Sequence, residues 1–213
     1  MKQRKHGRKA EQHEEIEEAK KPTPPDAIPC DDSLTNRELQ QVNRLCRKSR
    51  LLAALTMDSI QLRKMNGDLC KGYRYLSDQE FVLKHGRLFQ PQPFPEKYLQ
   101  QLGRKKECLY NALLLASSSD LNYAEGFVMP ATETLSPTPM IMPHAWCVDA
   151  VGNVVDPTLY DMMGAEYCGL LFQKEPLLQL LCEGKPFGFL FNGELFDKIC
   201  SGEVTDFRKY LLE

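Results

Sequence analysis

The sequence predicts an α+β domain in which one central helix packs on a small antiparallel sheet, preceded by a helical region. Three observations carry this expectation. Between Leu39 and Ile60 apolar side chains recur at helical spacing, at Leu39, Val42, Cys46, Ala53, Met57 and Ile60. After Ser119 the patterning changes to short extended runs bounded by turn residues. Between the two regions, ECLYNALLLASSS is apolar on nearly every side, the mark of a buried helix.

Each element has its own signal. Residues 1–33 read as a disordered charged tail: a basic cluster from Lys2 to Lys9, an acidic one from Glu11 to Glu18, then the proline-rich linker KKPTPPDAIP. A single domain is expected over 34–213, with a helical part over 34–106 and a catalytic-type core over 107–213. At its start, Thr35 and Glu38 form a capping box, and Leu34 and Leu39 occupy the staple positions. No Gly or Pro interrupts the chain from there to Met65, so one long helix or two abutting helices end before Asn66-Gly67. The same box recurs at Ser77 and Glu80, with Leu76 and Phe81 as the staple and Gly86 as the stop.

The prolines of FQPQPFPEKY predict an extended, non-helical connector. LNYAEGFVM, HAWCVDA, NVVDP and EYCGLLF read as strands, the middle two joined through a turn at Val151-Gly152-Asn153. PLLQLLCEG is a helix with Pro176 in its first turn, and ELFDKICSG and TDFRKYLLE supply the last helices.

Charge and cysteine usage narrow the function. The chain of 213 residues has 27 Lys and Arg against 29 Asp and Glu, a net charge of −2. The distribution is uneven: residues 1–106 carry about +8 and residues 107–213 about −10. No nucleic-acid motif accompanies the basic half, so docking of the two halves on each other is favoured over nucleic-acid binding. No apolar run approaches the roughly 20 residues of a membrane-spanning helix, and the N-terminus lacks the apolar segment of a secretory signal. The eight cysteines are widely spaced with no C-x-x-C, which predicts reduced thiols in a cytoplasmic protein and no recognisable zinc spacing.

One constellation carries chemistry: Cys108, His144 and Asp156. Nucleophilic catalysis by cysteine needs a thiolate, a histidine that takes and returns a proton, and a group that orients the imidazole. Cys108 falls in the opening turn of the central helix, where unpaired N–H groups and the macrodipole favour negative charge, with Lys105 and Lys106 adding to it. His144 leads a strand and Asp156 ends the next one across a turn. Asp149 is a rival for the third position, but five residues from His144 on one strand it points to the opposite face. Trp146 shares the His144 face and flanks the site. The backbone N–H of Cys108 is the default oxyanion donor, with Gln100 or Gln101 as further candidates.

Residues Glu107 to Thr158 resemble the transglutaminase-like core of the papain-like cysteine enzymes. The matching pieces are ECLYNALLLA, NYAEGFV, HAWCVD and VVDPT, with the His-Ala-Trp and Asp-Pro-Thr segments the most specific. The resemblance implies a papain-like fold with Cys108 as nucleophile, His144 as general base and acid, and Asp156 as the orienting carboxylate. It implies an acyl-transfer enzyme acting on amide bonds of a protein or peptide, whether peptidase, deamidase or transferase, with no metal or organic cofactor. The alternative is a catalytically silent domain that binds a partner protein through its basic half; Glu107, beside the thiol, opposes a thiolate and motivates it. A nucleic-acid binder acting through the tail and first helix ranks last. Oligomeric state is open.

Overall fold

A computed structural model describes residues 34–67, 71–131, 140–162, 164–183 and 188–212. The expected tail over 1–33 and most of the loop ETLSPTPMIMP lie outside the described residues. The architecture is α+β. Its helices are α1 (Asn36–Cys46), α2 (Arg50–Asn66), α3 (Asp78–His85), α4 (Cys108–Ser117), α5 (Lys174–Cys182) and α6 (Gly193–Ser201). Its strands are β1 (Arg87–Phe89), β2 (Asn122–Met129), β3 (Met142–Val148), β4 (Val154–Val155) and β5 (Glu166–Phe172).

The helical region forms two helices rather than one, and Ser49 explains the break. Its hydroxyl accepts from the Leu52 amide and donates to the carboxylate of Glu166, which also accepts from the amides of Arg50 and Leu51. The N-terminus of α2 is therefore capped by its own serine and by a carboxylate from β5. Thr35 and Glu38 close the box on α1: the Thr35 amide donates to Glu38 Oε2 at 2.7 Å. Ser77 caps α3, and Gly86 ends it.

The sheet order is β1-β5-β2-β3-β4, with antiparallel neighbours throughout. The sheet curls until its edges meet. The Val154 amide donates to the Gln90 carbonyl at 2.8 Å, and Gln90 bridges to Asn153. Small residues allow the curl. Gly126 on β2 pairs with Gly169 on β5, and a Cβ on Gly169 would lie 2.3 Å from the Glu125 carbonyl oxygen and 2.7 Å from the Trp146 ring. The missing side chains leave the concave face to Trp146, which packs with Phe89, Ala124, Val128, Val148, Val154, Tyr167 and Leu171. The convex face carries the larger core. There α4 contributes Ala112, Leu113, Leu115 and Ala116 against Tyr123, Phe127, Ala145 and Cys147, with Leu51, Leu55 and Phe81 from α2 and α3. Complete burial of a side chain such as Phe127 contributes roughly 1.5–3 kcal/mol.

One short strand was not expected, and two local expectations need correction. Arg87–Phe89 is a strand that pairs with β5 and supplies the sheet edge. Glu96–Gln101 forms a 3-10 helix, so the connector is extended only as far as Pro95; the last proline sits at the helix N-cap, where a missing N–H costs nothing. The segment TDFRKYLLE makes only a 3-10 turn over Phe207–Tyr210, after which Leu211 bridges to Phe172 and extends the β5 edge. Among the described residues no helix is long and apolar enough to cross a membrane.

Candidate active site

The nucleophile candidate opens α4. Glu107 occupies the N-cap without a side-chain capping bond, and Cys108 is the first helical residue. The preceding turn passes through Lys106 at φ 71°, a left-handed conformation that costs a residue with a Cβ about 1–2 kcal/mol. That turn is held from two sides. Asn111, buried one turn into α4, accepts from the Arg104 amide at 3.3 Å and donates to the Arg104 carbonyl at 2.7 Å and to Thr158 Oγ1 at 2.9 Å. The Gly103 amide donates to the Pro157 carbonyl at 2.9 Å. Gly103 must lack a side chain, because a Cβ there would overlap the Asn111 amide. At the other end of α4, Lys174 donates to the carbonyls of Ala116 and Leu121 and places a cation where the helix dipole favours one.

His144 and Asp156 come from the concave face. Both are 4% exposed. His144 Nε2 meets Asp156 Oδ2 at 2.7 Å. The same carboxylate oxygen accepts from the Tyr167 hydroxyl at 3.0 Å, and Oδ1 accepts from the amides of Thr158 and Leu159 at 2.8 and 2.9 Å. All four lone-pair directions of the carboxylate thus point at a partner, which fixes its plane and through it the imidazole. Trp146 lies alongside the imidazole with its ring within 14° of parallel and the centroids 6.3 Å apart. It walls His144 off within the concave face.

The Cys108 sulfur lies within electrostatic reach of His144 and of the amides of Ala145 and Leu109. With Nε2 committed to Asp156, Nδ1 is the nitrogen left for the sulfur. The electrostatics favour charge separation. Burial opposes the Cys108 thiolate, but the hydrogen bond and charge of His144 and the two amides outweigh it and lower the pKa. Burial likewise opposes the His144 imidazolium, but the hydrogen bonds to Asp156 and Cys108 and their charges raise its pKa to about 9. The other thiols differ: burial pushes Cys168 up to about 12 and Cys200 up to about 11. Cys147 is raised too, and its sulfur donates to the Ala112 carbonyl.

Comparison of the chain with protein-family models, with curated proteins and with solved structures finds no match.

The structure brings Cys108, His144 and Asp156 together and sets Trp146 beside them. It leaves Asp149 out: that carboxylate accepts from the amides of Val151 and Asn153 and from the Asn153 side chain, closing the β3–β4 turn. Gln100 and Gln101 are exposed in the 3-10 helix, and Gln101 lines a groove of about 560 Å³ along the outer side of α4 with Glu107, Tyr110 and Leu114. Among the described residues no three His, Cys, Asp or Glu side chains converge as a metal site.

Asn111, Thr158 and Tyr167 complete the site and were not singled out by sequence reasoning. The available signal was a lone Asn in an otherwise apolar helix. Glu125 carries the same kind of signal, a carboxylate within an apolar strand. It is fully buried and accepts from the amides of Phe189 and Leu190 and from the Tyr123 hydroxyl. Burial raises its pKa to about 7 against the opposing effect of these donors. Leu109, next to Cys108, packs near Gly188 at the start of the segment that Glu125 holds.

Proposed function

We propose that the chain is a cysteine-dependent acyl-transfer enzyme of the transglutaminase-like, papain-like type, acting on amide bonds of a protein or peptide through Cys108, His144 and Asp156. The observation that carries this is the half-buried Cys108 sulfur at a helix N-terminus, within electrostatic reach of an imidazole that a fully partnered carboxylate holds. The thiolate attacks the acyl carbon and the carbonyl oxygen takes up negative charge. Backbone N–H groups of the opening turn of α4 stabilise that oxyanion. As the C–N bond breaks, His144 gives its Nδ1 proton to the leaving amine, and a thioester remains on Cys108. Water or an amine then attacks, His144 recovers a proton, and the C–S bond breaks to release the acyl group and the thiolate. Asp156 keeps the ring oriented and favours imidazolium throughout. Open approach at the exposed turn before Cys108 suits a polypeptide substrate.

The test uses p-nitrophenyl acetate as an activated acyl donor. The expected result is a burst of p-nitrophenol with one acetyl group on Cys108 by mass spectrometry, lost in Cys108→Ala and in His144→Gln. Acetylation spread over the exposed cysteines with no burst overturns the enzyme assignment and leaves the silent binding domain.

A further inference from the structure

We infer that the chain has a second site, remote from Cys108, that binds a small phosphorylated molecule in a cationic pocket on the outer edge of β5. The pocket holds about 290 Å³ and is lined by His85, Arg87, Phe207, Arg208 and the backbone of Gly169 to Leu171. Its origin is a gap in the sheet edge. β1 covers β5 at Tyr167 to Gly169, and the C-terminal segment covers it at Leu171 and Phe172, through the Leu212 amide on the Leu171 carbonyl and the Leu211 bridge. Between these covers the edge at Leu170 has neither neighbour. Arg87 lines the pocket from one wall, its guanidinium lying over the Phe89 ring, and Arg208 lines it from the other, so the opening lies between two cations and suits the oxygens of a phosphate.

Among the described residues no carboxylate lines the pocket and neither Arg87 nor Arg208 has an ion pair. Arg74 sits over the rings of Tyr75 and Phe207, and Lys84 over Tyr75, so two further cations are held close by. His85 senses them all: burial, and then the charges of Lys84, Arg74 and Arg208, lower its pKa and favour a neutral ring. Its Nε2 is taken by the Tyr75 hydroxyl at 2.6 Å, which fixes the ring at the pocket wall. The volume equals roughly ten waters of liquid and so admits a phosphate that carries a small organic group. The short gap at Leu170 offers no room for an added peptide strand.

Titration calorimetry of the full chain with pyrophosphate, phosphoserine and serine tests the assignment. Pyrophosphate and phosphoserine are expected to bind one-to-one with Kd below about 1 mM, and serine not at all. Arg87→Gln and Arg208→Gln, both at exposed positions, are each expected to weaken binding at least about tenfold. Absence of saturable binding up to about 10 mM, or binding unchanged in both variants, overturns the site.

Discussion

Tyr167 and His144 share one oxygen of Asp156, at 3.0 and 2.7 Å. The phenol and the imidazole therefore compete for the same negative charge. Tyr167→Phe removes one competitor, so the carboxylate holds the imidazolium more tightly and the His144 pKa rises above its value of about 9. The loss of one buried hydrogen bond costs about 1 kcal/mol. NMR titration of His144 and urea unfolding measure the two effects; a lowered His144 pKa contradicts the sharing.

Asp156→Asn reverses a proton position. Oδ1 is fixed by the amides of Thr158 and Leu159, so the new NH2 group faces His144 Nε2 and makes that nitrogen an acceptor. The proton moves to Nδ1, where it cannot receive another from the thiol. Acylation by p-nitrophenyl acetate should fall by roughly 10²–10⁴. Asp149→Asn, which touches only the β3–β4 turn, should leave the rate unchanged.

Cys108 should react with iodoacetamide at neutral pH faster than the exposed Cys182, and the gap should close as pH rises and ordinary thiols ionise. Equal rates near pH 7 would contradict a lowered pKa. Linkage gives a second readout. A folded-state His144 pKa of about 9, above the ordinary 6.5, contributes stability that is complete below about 6.5 and is lost as pH climbs through 9. The lowered Cys108 pKa acts in the opposite sense, so the decline in melting temperature across this range should be read in Cys108→Ala, where it should be steeper than in Cys108→Ala/His144→Gln.

Asn111→Ala deletes three hydrogen bonds at once and leaves the Arg104 backbone and Thr158 without their partners. Urea unfolding should register a loss of about 2–3 kcal/mol. The alkylation advantage of Cys108 over Cys182 should shrink with it, since the turn before the nucleophile loses its clamp.

Local chemistry was well marked in the sequence. Thr35 with Glu38, and Ser77, announce helix starts because capping depends on neighbours three residues apart. The β2, β3 and β5 strands announce themselves by apolar runs between turn residues. What could not be seen is what long-range partners decide. β1 is three residues long and exists because β5 lies beside it. Glu166 caps a helix 115 residues away in sequence, and nothing near it says so. At the site, Cys108, His144 and Asp156 stood out by residue type and order. Tyr167 did not, since a tyrosine in an apolar strand reads as core until its hydroxyl is seen to meet Asp156.

The clamp between Asn111 and Thr158 spans 47 residues, with both central strands folded between its ends. Loop-closure entropy opposes that contact, and pairing of β2 with β3 shortens the loop that has to be closed. Until it closes Cys108 is an ordinary thiol: its imidazole, its orienting carboxylate and its fixed turn are all elsewhere. Reactivity at one sulfur becomes a gauge of whether the whole domain has closed, and a chain that stops before Asp156 lacks the carboxylate that holds His144.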